Sequence, residues 1–253
     1  MKKLNVRDIR KSKGEALQVL TCYDFQTAQL LNETDLEMIL VGDSVGNVVL
    51  GYETTVEVTL GEMEIFGRAV KKGAPDKFVI VDLPFGTYAT IKQGLQNGAR
   101  LFQTTKAEAI KLEGAYPHEL KLIERLTQIG VPVMGHIGLT PQSVHQLGGY
   151  YTHGKTESSA QRLLREAKAL ENAGVFSVVL EMVDESVAEE ITRNLSIPTI
   201  GIGSGQKTDG QVLVINDLLK LGPERPPKFC RPMADLFQTK KELIEAYLKQ
   251  QRT

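Results

Sequence analysis

Five short apolar runs in this chain each break into a charged or imidazole side chain just before a loop: MILVGDS, FVIVDLP, AIKLEG, VPVMGHIG and SVVLEMV. The residues so placed are Asp43, Asp82, Lys111 with Glu113, His136 and Glu181. A single carboxylate at a strand end constrains little. The same event on five consecutive strands gathers polar groups on one rim, and in a parallel α/β protein that rim is where ligands bind. The runs are continuous in their apolar character rather than alternating, as strands covered on both faces require.

Strands and helices alternate almost throughout the 253 residues. Strands are expected in ALQVLTCYD, MILVGDS, FVIVDLP, AIKLEG, VPVMGHIGL, SVVLEMV, IPTIGIGSG and QVLVIND. Between them lie helical stretches such as TLGEMEIFGRAVKKGA, where Met63, Phe66, Ala69 and Val70 recur at helical spacing. The segment TYATIKQGLQNGARLFQTTKAE reads as a helix broken near Gly98, and Thr140 to Thr156 as a long Gly- and His-rich loop. Loops of that length inside a compact domain are usually functional. Asp184 to Leu195 reads as helical, and PERPPKF crosses to a terminal helix over ADLFQTKKELIEAYLKQ. Eight βα units favour closure into a (β/α)8 TIM barrel, expected as one domain over 1–253 with a C-terminal helix.

Composition narrows the function classes. Thirty basic against thirty-one acidic residues give a net charge of −1, so no basic stripe points to nucleic acid and no polybasic helix to a membrane surface. No apolar run approaches the roughly 18 residues of a membrane span, and MKKLNVRDIRKSKG has no apolar segment behind its charges to act as a signal peptide. Cys22 and Cys230 are the only cysteines; two distant thiols make neither a disulfide framework nor a zinc site. A reducing cytoplasm is the expected compartment.

In a barrel, Asp43, Asp82 and Glu113 fall on neighbouring strands two, three and four. Three hard oxygen ligands without Cys suit Mg²⁺ or Mn²⁺. Asp43 and Asp82 are expected as inner ligands, with Glu113 direct or through water. The alternative for each is a helix cap or turn residue, Asp43-Ser44 above all, but like charges on adjacent strands repel without a cation. Lys111 lies two residues before Glu113, so both share one strand face. Its acidic neighbours argue against a low-pKa amine and for a charge-pairing role; a structural salt bridge is the bland alternative. Glu181, ending an apolar run, suits a proton acceptor or, more simply, an exposed loop acid. His136 is either a ligand contact or a buried histidine bonded to backbone. His145 and His153 fall in the long loop and read as solvated. Gly201, Gly203 and Gly205 in GIGSG resemble a barrel phosphate loop only weakly, and no complete G-x-G-x-x-G, Walker, GxSxG or HExxH motif occurs. A metal facing a carboxylate base suits proton removal beside a carbonyl. A 2-oxo acid bound through its oxygens would turn its C3 hydrogen toward Glu181.

Taken together, TCYDFQTAQL, LVGDSVGNVVLGYETT, VDLPFGTY, IKLEG, GHIGLTPQS, LGGY, VLEMV, IPTIGIGSGQKTDGQVLV and PPKFCRPMADL resemble, in order and over nearly the whole chain, the ketopantoate hydroxymethyltransferase family. The resemblance implies transfer of a hydroxymethyl group from 5,10-methylenetetrahydrofolate to 3-methyl-2-oxobutanoate, giving 2-dehydropantoate in pantothenate biosynthesis, with Mg²⁺. It implies Asp43 and Asp82 as metal ligands that also contact substrate, and Glu113 as the third metal-site acid. It implies Ser44 and Lys111 as substrate-binding groups and Glu181 as the proton acceptor; His136, by its place at a strand end, is expected as a further substrate contact. It also implies a homo-oligomer, typically a decamer. Two departures stand out. The second glycine of the familiar EGG is Ala115 here, a source of strain if that position needs positive φ. GIGAG reads GIGSG, adding the Ser204 hydroxyl near the mouth. The rival readings are another Mg²⁺-enolate barrel enzyme of the phosphoenolpyruvate mutase or isocitrate lyase type, and a non-catalytic metabolite-binding barrel.

Overall fold

The computed structural model describes residues 3–251. Two compact units divide between Val212 and Leu213. In the first, eight parallel strands close in sequence order: β1 Leu17–Thr21, β2 Met38–Val41, β3 Phe78–Asp82, β4 Ala109–Glu113, β5 Val133–Gly138, β6 Ser177–Glu181, β7 Thr199–Ile202 and β8 Gly210–Leu213. The expected (β/α)8 barrel is therefore the observed architecture.

Alternation along each strand sorts the barrel interior by height. Leu17 and Val19, Met38 and Leu40, Phe78 and Ile80, Ala109, Met134, Val179, Ile200 and Val212 belong to one buried cluster. Phe78 meets Phe176 edge to face with ring centroids 5.5 Å apart. Two residues further up, the same inward parity places Asp82 above Ile80, Lys111 and then Glu113 above Ala109, His136 above Met134, and Glu181 above Val179. Apolar layers fill the lower barrel and ionisable groups its upper end.

An element absent from the strand-and-helix reading closes the bottom. Helix α1, Val6–Lys11, is capped by Asn5, whose side chain accepts from the Arg7 and Asp8 amides while Asp8 reaches back to the Asn5 amide. It delivers Ile9, fully buried, into the same cluster, with Leu4 and Val6 packed against it. The charges of MKKLNVRDIRKSKG drew attention; its one buried isoleucine fixes its role.

Outer helices follow their caps. Asp24 starts α2, Phe25–Asn32; a Thr59–Glu62 capping box starts α3, Leu60–Gly73; Thr90 starts α4, Ile91–Thr105. Next come α5, Pro117–Gln128, then a short α6, Val144–Leu147, and α7, Glu157–Ala173, begun by Thr156. Asp184 caps α8, Glu185–Asn194. Helix α4 is not broken at Gly98. A side chain there would press on Leu126 and Ile110, so this glycine permits close helix–strand approach. The Thr140–Thr156 segment is not wholly loop: a 3-10 turn at Pro141–Ser143 runs into α6.

The second unit holds α9, Ile215–Leu218, and α10, Leu236–Gln250. A Lys220–Asp235 ion pair and a Met233 amide bond to the Leu218 carbonyl tie the start of α10 to the end of α9. None of the residues of α10 is buried; Leu243, Ile244, Tyr247 and Leu248 all face outward. Among the described residues, no helix is long and apolar enough to cross a membrane.

Candidate active site

Strand register pairs the polar residues before any loop contributes. Asp82 lies opposite Lys111, Glu113 opposite His136, and Glu181 opposite Gly138. Asp43 follows β2, and its amide donates to Asp82 Oδ2 at 3.1 Å. Five ionisable groups here (Asp43, Asp82, Lys111, Glu113 and His136) are each no more than 5 % exposed. Burial of that kind persists only where charges pair.

The pairing runs in two chains. Lys111 Nζ sits 2.9 Å from Asp82 Oδ1. Burial presses its ammonium to lose the proton, but Asp82, Asp43 and Glu113 outweigh burial and raise its pKa. Lys111 is a fixed cation, which rules against an amine nucleophile. His136 stands between two acids, Nδ1 3.4 Å from Glu113 Oε1 and Nε2 3.2 Å from Glu181 Oε2. Burial and Lys111 push the imidazole toward neutrality, yet the two carboxylates lift it to about 9. His136 therefore bridges Glu113 and Glu181, with Lys111 Nζ 3.5 Å from the same Nδ1; the two carboxylates favour its protonated form, and it is not a histidine satisfied by backbone. The Glu181 side chain, 19 % exposed, is the most open of the three.

Acid outnumbers base. Asp43 is held well above the usual carboxylate range, first by burial and then by Asp82 and Glu113. Asp82 Oδ1 and Glu113 Oε1 have ion-pair contacts but no well-aligned hydrogen bond, leaving oxygen lone pairs for a hard cation. Among the described residues no three His, Cys, Asp or Glu side chains converge as a ready-made cage. Mg²⁺ needs none, since it keeps several waters and takes one or two carboxylates. The donor set fits that ion.

Two residues that strand-end reasoning passed over hold the site together. Gln142, in the turn after β5, engages its backbone N–H and both ends of its side-chain amide. Its amide nitrogen Nε2 donates to Asp43 Oδ2 at 2.8 Å and to the Leu83 carbonyl at 3.1 Å. Its backbone N–H donates to Glu113 Oε2 at 3.1 Å, and its Oε1 accepts from the Tyr88 hydroxyl at 2.6 Å. Tyr23, buried after β1, shares a 2.7 Å hydroxyl contact with Ser44. Both lie in the motifs TCYD and GLTPQ; their partners are distant in sequence, so only position in a motif hinted at them.

Other expectations are corrected. The Ser204 hydroxyl, at the upper ends of β6 and β7, is buried and not open to a ligand: its Oγ accepts from the Val183 amide at 2.9 Å and donates to the Leu180 carbonyl at 2.7 Å, stapling β6 to the loop after β7. The GIGSG loop is no anion cradle, because Glu185 Oε1 already accepts from the Gln206 amide beside it. Positive φ falls on Gly114, at +99°, and not on Ala115, so the missing second glycine strains nothing. His153 is buried rather than solvated and stacks on Tyr151 at 4.4 Å, while His145 is exposed as expected. Cys22 is buried with its thiol pushed up to about 12, mainly by burial, and is no nucleophile.

The chain is 47% identical over 238 residues to the 3-methyl-2-oxobutanoate hydroxymethyltransferase of Leptospira biflexa serovar Patoc, covering 94% of this chain and 89% of that one. It is 48% identical over 246 residues to the enzyme of the same name from Thermosipho africanus, covering 96% and 92%. Among solved structures it resembles phosphoenolpyruvate phosphomutase from Streptomyces platensis subsp. rosaceus, with a TM-score of 0.68 at 12% identity over 98% of this chain and 88% of that one, a likeness of fold. The model of one family, ketopantoate hydroxymethyltransferase, matches residues 3–253. On that match, and on relatives nearly half identical along almost its whole length, this chain belongs to the ketopantoate hydroxymethyltransferase family.

Proposed function

We propose that this chain transfers a hydroxymethyl group from 5,10-methylenetetrahydrofolate to 3-methyl-2-oxobutanoate, giving 2-dehydropantoate in pantothenate biosynthesis. The observation that carries the reading is the linked pair of clusters: a cation-seeking set at Asp43 and Asp82, and a carboxylate, Glu181, joined to it through His136, Glu113 and Gln142.

Asp43 and Asp82 would hold Mg²⁺, with Glu113 reaching it directly or through water. Bound there, the ion supplies positive charge beside the 2-oxo oxygen as negative charge develops on it. Lys111 and Ser44 hold the substrate carboxylate, Ser44 oriented by Tyr23. Glu181 takes the C3 proton. The His136 imidazolium fixes the Glu181 carboxylate from one side, so its second oxygen is free for that proton. The resulting carbon nucleophile forms the new C–C bond to the folate methylene as the first of that carbon's two bonds to folate nitrogen breaks. Water supplies the hydroxyl as the second breaks, and the two released nitrogens take up the proton held by Glu181 and the one given up by the water. Gln142 keeps Asp43 and Glu113 in register throughout.

The experiment is proton NMR of 3-methyl-2-oxobutanoate in D₂O with the protein and Mg²⁺, with and without tetrahydrofolate. Loss of the C3 methine signal, abolished by EDTA, is the expected result. No exchange under either condition would reject the reading and favour a barrel enzyme acting on another acid. A homo-oligomer, decameric by family resemblance, is part of the same proposal; the outward Leu243, Ile244, Tyr247 and Leu248 of α10 support it. A cytoplasmic location is consistent with the free, unpaired Cys22 and Cys230.

A further inference from the structure

Beside Glu113, a cavity of about 320 Å³ opens between the loops after β3, β4 and β5 and runs outward to α7. It shares Glu113, Gln142 and Tyr88 with the site above; its other walls have no part in the chemistry described so far. Phe85 and Tyr116 line it and are 49 % and 69 % exposed. Arg162 lies at its outer edge, its Nε 3.6 Å from Glu166 Oε1.

The telling group is Glu119, in the first turn of α5. It lines the cavity, is 9 % exposed, and its Oε2 is buried without a hydrogen-bond partner. The other oxygen, Oε1, faces His118 Nδ1 at 3.2 Å. Its carboxyl carbon packs against Gly114, where a Cβ would lie 3.3 Å away; Gly114 is the residue after Glu113. An orphaned buried carboxylate oxygen costs free energy and calls for a donor. The donor must present N–H groups toward Glu119, must offer a flat face to the Phe85 and Tyr116 rings that line the cavity, and must end beside Glu113. A 2-amino-4-oxopteridine meets all three demands, since its 2-amino and N3–H groups form a donor pair matched to a carboxylate.

We propose that this cavity seats the pteridine ring of the folate co-substrate, with Glu119 accepting from its 2-amino and N3–H groups and Phe85 and Tyr116 flanking the folate. Arg162 then meets the acidic tail at the outer edge. The assignment rests on the hydroxymethyltransferase reading and adds where the second substrate lies.

Calorimetry of tetrahydrofolate against the intact Mg²⁺-loaded protein tests it. Glu119→Gln should weaken tetrahydrofolate binding by about ten-fold or more, as loss of charge-assisted bonds requires, while 3-methyl-2-oxobutanoate binds within about two-fold of wild type. Tyr116→Ala, at an exposed position, should weaken it by about three-fold or more, as expected for lost stacking. Wild-type protein alone gives an independent check. The ring 2-amino-4-oxopteridine should compete about ten-fold better than 2,4-dioxopteridine, which sets a carbonyl against the carboxylate. Equal competition by the two rings, or unchanged tetrahydrofolate affinity in E119Q, overturns the assignment and leaves the function standing. Wild-type protein that exchanges the C3 proton but binds no tetrahydrofolate overturns both.

Discussion

At the lower end of the barrel Phe78 packs edge to face on Phe176 near Ile9; four residues up the same strand, Asp82 lies against a buried ammonium. Fully burying an apolar side chain like those below stabilises the fold by about 1.5–3 kcal/mol. Burying an ion like those above costs several kcal/mol, which pairing only partly returns. The strands therefore supply at one end the stability that offsets the other. Stability and chemistry share each strand but occupy different heights on it, so changes at the two ends should have opposite signatures.

The largest effect expected is at the top. Glu181→Gln should lower C3 proton exchange by about 10²–10⁴-fold, the range for a lost general base, with little change in melting temperature. An exchange rate within about ten-fold of wild type would remove Glu181 from the role. Ile9→Ala should do the reverse. Its truncation should cost about 2–5 kcal/mol in urea unfolding and leave turnover per folded molecule unaltered; a loss of turnover without a loss of stability would break the division of labour. Asp43→Asn sharpens it further. Neutralising one of the crowded carboxylates should stabilise the metal-free protein by about 1 kcal/mol, yet abolish the rise in melting temperature that Mg²⁺ gives wild type. Scanning calorimetry with EDTA and with Mg²⁺ reads both.

The smallest effect belongs to neither end. Glu171, on α7, has its pKa lowered: burial raises it, but Lys168 and the Ser196 hydroxyl and amide outweigh burial. A depressed folded-state pKa gives stability that is present above the ordinary value of 4.5 and lost as pH falls through the folded value. Glu171→Gln should accordingly flatten the acid limb of stability below about pH 4.5 and leave the neutral limb parallel to wild type.

Much of this was legible along the chain because it is local. Apolar runs with fixed inward parity mark a strand, and the polar residue that breaks the run marks its upper end; Asp82, Lys111, Glu113, His136 and Glu181 were found that way. Asp43 lies past the last residue of β2 and was found only because it breaks the run. What escaped depends on contacts across the fold. Gln142 sits 99 residues from Asp43, with which it bonds, and nothing in its immediate neighbours betrays that. Ile9 is one apolar residue in a charged segment, and its importance arises only when a barrel has a bottom to close. Glycine disfavours a helix interior, so the sequence around Gly98 suggests a break; packing against Leu126 and Ile110 overrides that preference.

The plug at Ile9 also governs traffic. With the lower layers filled and sealed, the ionisable upper end opens through the mouth alone, and the cavity at Glu119 lies along one side of it. A small acid bound at Asp43 and Lys111 lies deeper than a folate seated beside Glu113. On the seats proposed above, the smaller reactant would have to enter first, and its lengthened product could leave only after the spent folate had stepped aside. Order of addition would then be a matter of queueing at a single door, set by six residues of helix at the far end of the barrel.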